Sequence, residues 1–377
     1  MAIARFTFIG TPVVPKEKAK RPFYKEIEKV DGKNKRQMAT MTFGIKESDT
    51  NMAFVEAFDS VQDQIQTMNT DNEKMTVDWD ERTDEDVISQ VANYRKYVVD
   101  LGEDFGGRQE FITMYDAMQY LNENLRDYNG KIMVTGQLSR EWYAKKGVYM
   151  DKYKFQNVYA VDESEYKNRL GLVIDIFYNK NSIDKSDFKE DKKIYLNGYI
   201  EQYINKDEGK KYVPMQFVFS AAKYNMDDEK HKKLFDYKMS YLDVSNKNMV
   251  HIPWEVVLIR GAEEAEFNES MLTDKQKQQI ELGLKTLEDF RPRGTIVGDK
   301  VNEYRMFDPQ LKDDFADGVV EVEDTLSEFE ENIYQPPQDE TLDEAKKKSK
   351  ETKKTEDDEP PLDTDDKADE VDPDDLF

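Results

Sequence analysis

Apolar and polar positions alternate through Ile3-Ala4-Arg5-Phe6-Thr7-Phe8-Ile9-Gly10, the period of a half-buried strand, and the alternation stops at Gly10-Thr11-Pro12. The basic stretch that follows lacks this period and is expected to be a long loop. Residues 37 to 45 and 51 to 58 predict two more strands, joined into a hairpin by the polar turn Glu47-Ser48-Asp49-Thr50. On the second of these, Met52, Phe54, Glu56 and Phe58 share one side and Ala53, Val55 and Ala57 the other. Size favours Phe54 and Phe58 as the core side; the opposite facing would make them an outer stacking platform. Helical spacing then takes over. Val87, Val91, Tyr94 and Val98 follow a cap at Thr83, and a stronger stripe of Phe111, Met114, Tyr115, Met118, Leu121 and Leu125 ends at Asn129-Gly130.

Directly after that glycine, Lys131-Ile132-Met133-Val134-Thr135-Gly136-Gln137-Leu138 recurs 62 residues later as Lys193-Ile194-Tyr195-Leu196-Asn197-Gly198-Tyr199-Ile200. Gly147 falls on Gly209, Tyr153 on Met215 and Phe155 on Phe217, so each copy predicts a strand, a loop closed by glycine and a second strand. Phe155 and Phe217, apolar in both copies, are assigned to packing. A glycine inside each strand suits a sheet that bends tightly into a small barrel. Further along, Phe235 to Val244 and Met249 to Ile259 read as strands, Thr273 and Gln276 as a capping box for a helix through Ile280, Leu284 and Leu287, and 294 to 307 as a last hairpin or strand pair.

Composition limits the chemistry. There is no Cys, and His231 and His251 are the only histidines, neither with an evident partner, which excludes thiol catalysis, Cys-based zinc sites and most His-dependent hydrolysis. No Gly-rich phosphate loop, Ser-His-Asp set or metal-spaced His cluster is present, and among 80 acids a pair such as Asp78-Asp80 is expected by chance. A non-enzymatic protein without cofactor or metal is therefore expected. No apolar run exceeds Val256-Val257-Leu258-Ile259, and the first residues lack the pattern of a secretory signal, so the expectation is a soluble, cytosolic protein without membrane contact.

The net charge of −25 is uneven: residues 321 to 377 hold 23 acids against 7 bases, a net of −16. Bulk attraction to polyanions is excluded, so any nucleic-acid contact must be local. Residues 313 to 377, rich in acid and proline, are expected to be a disordered tail closed by Asp374, Asp375, Leu376 and Phe377. Residues 16 to 36 run the other way, with nine bases against four acids, whereas 60 to 107 hold twelve acids against four bases. Two segments combine cations with rings: the first loop, with Lys18, Lys20, Arg21, Phe23, Tyr24, Lys33, Lys35 and Arg36, and the first repeated hairpin, with Arg140, Trp142, Tyr143, Lys145 and Lys146. Rings beside cations suit unpaired bases and their phosphates, although a Trp-Tyr pair would equally cap the open end of a barrel. The second hairpin replaces Arg140 by Gln202 and Lys145-Lys146 by Asp207-Glu208, which points to a supporting or protein-contact role.

Val134, Gly136, Leu138, Tyr143, Lys146 and Gly147 resemble the fourth and fifth strands of single-stranded DNA-binding proteins of the oligonucleotide-binding (OB) fold, and the ending Asp374-Asp375-Leu376-Phe377 is similar to their acidic, Phe-terminated tails. The proline departs from that pattern, preceding the acids as Pro373. Size and the acidic insertion resemble phage-encoded versions. The resemblance implies a mainly β protein with helices: an OB-fold domain over 1–161 with an acidic insertion at 60–107, a second OB-like domain over 162–312, and the tail from 313. It also implies sequence-independent binding of single-stranded DNA, with the tail recruiting replication or recombination proteins. The rival expectation is a protein-protein adaptor that uses the β modules as scaffold.

Overall fold

The computed structural model describes residues 3–16, 21–31, 34–222, 224–264, 272–291 and 297–337. Strand β1 (Ala4–Val13) keeps its sequence alternation, with Phe6 and Phe8 buried and Arg5 and Thr7 outward. The basic stretch is not simply a loop, because part of it forms β2 (Tyr24–Asp31), which pairs with β3 (Asn34–Ser48) from Tyr24↔Met41 to Asp31↔Asn34. The far end of β3 pairs with β1, so without β2 its near half would be left with one unpaired edge. β3 turns into β4 (Asn51–Ser60) as the sequence predicts.

The acidic insertion carries the hairpin β5 (Gln64–Met68) and β6 (Lys74–Asp78), a short α1 (Glu85–Gln90), β7 (Tyr97–Asp100) and β8 (Arg108–Phe111). Helix α1 is capped by Asp84 instead of Thr83 and stops before Val91. Val91 packs with Ile65, Val77 and Ile112 in a small core of its own, and Val98 pairs with Glu110 between β7 and β8, so tertiary pairing takes both valines out of the helical pattern. Helix α2 (Met114–Asn124), capped by Thr113, buries Met114, Tyr115, Met118 and Leu121 as expected. The strands β9 (Ile132–Tyr143) and β10 (Val148–Ala160) complete the first half.

Five of these strands close a ring. β1 pairs with β3, β3 with β4, β4 with β10 in parallel (Val55↔Tyr153), β10 with β9, and β9 again with β1. Gly136 permits the closure: a Cβ there would lie 2.1 Å from the Lys154 carbonyl oxygen and 2.7 Å from the Phe6 ring, and the ladder bulges between Phe155 and Asn157 opposite it.

The second half repeats this plan. It comprises β11 (Arg169–Tyr178), the short β12 (Ile183–Asp184), β13 (Lys193–Asn205), β14 (Gly209–Ser220), α3 (Glu229–Ser240), β15 (Val250–Glu264), α4 (Asp274–Glu281) and β16 (Val297–Pro309). β11, β13, β14, β16 and β15 close a second ring, again with one parallel pair, β14 with β16 (Val218↔Arg305), and again with a helix between the third and fourth strands. That helix is α3, over residues expected to be a strand. Phe235-Asp236-Tyr237-Lys238 alternates, but the Asp228 carboxylate caps the turn by accepting from the N–H groups of Lys230 and His231. Thr273 and Gln276 form the expected capping box of α4, which ends at Glu281 before reaching Leu284 and Leu287, and β16 is one strand where the sequence predicts a hairpin or strand pair.

The repeated hairpins both form, with Gly147 at φ 63° and Gly209 at φ 67° closing their turns. They hold different places, however: β9–β10 are the fourth and fifth strands of their ring, and β13–β14 the second and third of theirs. Pairing of β1 with β11 and a bridge between Asn51 and Gly261 join the rings into one sheet. The expected disorder from 313 onward is corrected up to 337: β17 (Val320–Glu321) adds to β15, and α5 (Leu326–Glu331) buries Phe329. Residues 338–377, with Asp374, Asp375, Leu376 and Phe377, lie outside the described residues. Among the described residues no helix is long and apolar enough to cross a membrane.

Candidate functional site

The expectation for β4 is reversed by the structure. Ala53, Val55 and Ala57 point into the ring and are buried, while Phe54 is half-buried on the outer face and Phe58 is 57% exposed there. A closed ring leaves little room inside: Phe6, Phe8, Phe43, Tyr153 and Phe155 already fill it, so β4 can present only small side chains inward. Phe155 and Phe217 are core, as assigned.

Beside Phe58 runs β10, which turns Tyr153 and Phe155 inward and Lys152 and Lys154 outward. Lys154 Nζ stands 5.8 Å from the centre of the Phe58 ring and 2.9 Å from Glu141, while Lys152 lies 3.2 Å from Glu141 and 3.3 Å from Glu56. Burial raises the Glu141 carboxyl, but the two lysines outweigh it and hold it below the ordinary range. Glu56 and Glu141 in turn keep the Lys152 ammonium above its usual value against the opposing pull of burial. Phe54, Lys152 and Tyr153 line a cavity of about 340 Å³ together with Arg21 from the basic stretch and Arg260 from β15 of the second ring. Arg21 and Arg260 are exposed and make no ion pair among the described residues.

The sequence-derived candidates divide. Arg21 is in this groove, and the hairpin tip exposes Tyr143, Lys145 and Lys146 beyond its end. Trp142 is half-buried, its ring meeting Tyr149 edge-on at 5.0 Å across the hairpin. Phe23 is not available for stacking: it is 1% exposed, against Phe43 at 6.3 Å and beneath the Arg126 guanidinium at 5.1 Å. The Tyr24 hydroxyl donates to Glu26 at 2.6 Å, and burial together with Glu26 drives its pKa upward. Arg140 is a bracket instead of a free cation, 17% exposed, with Nη1 2.6 Å from Asp151 and its guanidinium 5.3 Å from the Tyr149 ring. Arg36 is exposed on the β2–β3 hairpin, opposite Lys29. Lys18, Lys20, Lys33 and the Lys35 side chain lie outside the described residues.

Sequence reasoning missed Lys152, Lys154 and Arg260. The first two carried a signal, the alternation Lys152-Tyr153-Lys154-Phe155 on a predicted strand; Arg260 carried none, since only the docking of the rings brings it to the groove. The histidines do have partners: His251 Nδ1 is 3.0 Å from both Asp175 oxygens with its ring stacked on Phe177 at 4.7 Å, and His231 Nδ1 accepts the Asn225 N–H at 3.1 Å. Among the described residues no group of three His, Asp or Glu is placed to hold a metal ion. No protein-family model matches the chain, and no curated protein matches it.

Proposed function

We propose that the protein binds single-stranded DNA with little sequence preference and without catalysis, and that both rings are barrels of the oligonucleotide-binding type. The barrel reading is supported by the strand order, first-second-third-fifth-fourth with one parallel pair, found in each ring. The single observation that carries the DNA reading is the outer face of β4 and β10, where Phe54 and Phe58 lie among Arg21, Lys152, Lys154 and Arg260. Stacking of a base on an exposed ring contributes about 1–3 kcal/mol, and every base has a face to offer, so such a groove discriminates little among sequences. The cations supply local attraction in a chain of net charge −25. Asp374, Asp375, Leu376 and Phe377 recruit replication or recombination proteins, the role implied by their resemblance to acidic, Phe-terminated tails.

One observation favours the adaptor reading: Lys152 and Lys154 are already paired with Glu56 and Glu141. Titration of labelled oligo-dT at two salt concentrations separates the two. Micromolar or tighter binding that weakens with salt and resists duplex competitor supports DNA binding; absence of binding at low salt supports the adaptor.

A further inference from the structure

Residues 313–334 form a strap across the outside of the second ring. β17 pairs with the start of β15 (Val250↔Glu321, His251↔Val320), and at the other end the Tyr212 N–H donates to the Asn332 carbonyl at 3.0 Å while the Tyr334 N–H donates to the Tyr212 carbonyl at 2.9 Å. Between these anchors, α5 places Phe329 flat on Tyr212, ring centres 4.0 Å apart and planes at 20°, with the edge of Tyr199 at 5.4 Å and Phe177 at 6.4 Å. Phe329 is 1% exposed, so the cover is complete at that point.

Tyr199 and Tyr212 are outward residues of β13 and β14, the second and third strands of their ring. Phe58 stands outward on the third strand of the first ring, 57% exposed. The strap is also chemically peculiar. Between 313 and 334 it has nine acids and no lysine or arginine, and none of the nine forms an ion pair among the described residues. It is held by apolar contacts of Val322, Leu326, Phe329 and Ile333 while its negative charges face outward, next to Asp175 and Glu201 of the ring. The Tyr212 hydroxyl registers this field: burial, then Asp324, Glu201 and Asp175, push it up to about 12.

A flat ring stacked on a tyrosine, in a segment whose charges are all negative and outward, has the pattern of a bound single strand. We propose that the outer face of the second ring, built on Tyr199, Tyr212 and Phe177, is a second single-strand-binding surface, and that the strap occupies it when no strand is bound, Phe329 standing in for a base. The inference rests on the DNA-binding reading above. Displacement exchanges the Phe329 stack for a base stack, and the backbone contacts of the incoming strand must offset the lost contacts of Val322, Leu326 and Ile333 and the β17 pairing. The strap also ends where a strand on the first ring would reach it: the Tyr334 ring is 6.5 Å from Tyr149, which packs on Trp142 at 5.0 Å.

The test uses the full chain and labelled oligo-dT at low salt. Phe54→Ala with Phe58→Ala removes the first groove's rings. Adding Phe329→Ala in that background should recover salt-sensitive binding, on the order of tenfold or more tighter than the double variant, and adding Tyr212→Ala should abolish the recovery. Thr325→Ala, which removes the side-chain cap of α5 without touching the face beneath, should give a smaller gain of the same sign and serves if Phe329→Ala does not fold. Folded Phe329→Ala or Thr325→Ala variants with no gain would overturn the inference while wild-type binding still stands. A wild-type chain that fails to bind oligo-dT would instead sink the DNA-binding reading itself.

Discussion

The backbone N–H of Arg140 donates to Gln202 Oε1 at 2.7 Å, and the Gln202 side-chain amide donates back to the Arg140 carbonyl at 3.1 Å. These two residues occupy equivalent positions in the repeated hairpins, 62 apart in sequence. The exchange is asymmetric because the repeat has diverged: one partner spends its backbone and the other its side chain. That frees the Arg140 guanidinium to pair with Asp151, whose other oxygen accepts from the Tyr304 hydroxyl at 2.8 Å, and Tyr304 meets Tyr153 at 2.6 Å. A residue that looked like a phosphate contact is thus part of the joint between the rings.

Arg140→Ala should accordingly lower stability, by about 1–3 kcal/mol, because Asp151 keeps its burial and loses its cation. Urea or thermal unfolding reads the effect. A variant as stable as wild type but weakened in oligo-dT binding would return Arg140 to the role of a phosphate contact.

Phe58→Ala should leave unfolding nearly unchanged, since the ring is 57% exposed, and weaken oligo-dT binding by about 1–3 kcal/mol. Phe23→Ala should do the reverse, costing about 3–5 kcal/mol of stability through the cavity it leaves in the core. Fluorescence anisotropy beside thermal melts distinguishes the pair.

Glu141→Gln removes the carboxylate shared by Lys152 and Lys154. The Lys154 ammonium then becomes available to phosphates, while Lys152 keeps Glu56 at 3.3 Å, so binding at low salt should tighten. The slope of log affinity against log salt should steepen by up to roughly 0.7 for each cation recruited. Arg260→Ala should flatten the same plot by about that amount, although the residue belongs to the other ring.

Glu303 is 13% exposed and touches Lys193 at 2.5 Å and Arg305 at 2.8 Å. Burial raises its carboxyl, yet the two cations outweigh burial and hold it below the unfolded value. A depressed folded pKa contributes stability that is present above the unfolded pKa, roughly 4.3, and is lost as pH falls through the folded one. Denaturant midpoints measured downward from pH 6 should therefore fall less steeply in Glu303→Gln than in wild type. Parallel slopes would show that the pair is not coupled to folding.

Legible in the chain alone were the strands with a clean two-residue period, the helical stripe of Met114, Tyr115, Met118 and Leu121, the Thr273–Gln276 capping box, both glycine-closed hairpins and the core role of Phe155 and Phe217. These depend on neighbours close in the chain or on size alone. Tertiary structure decided the rest. Which face of β4 looks inward depended on how much ring volume five strands can enclose, and Phe54 and Phe58 were displaced to the outside because Phe6, Phe8 and Tyr153 had filled it. Val91 and Phe235 took the conformations their distant partners required, against their local period. Phe23 and Arg140 had the right chemistry for a strand of DNA, but one is packed in the core and the other holds the joint between the rings, because a charge or a ring acquires its role from what surrounds it. Arg260 reached the groove only through the docking of two rings, a relation across more than a hundred residues that no local pattern encodes.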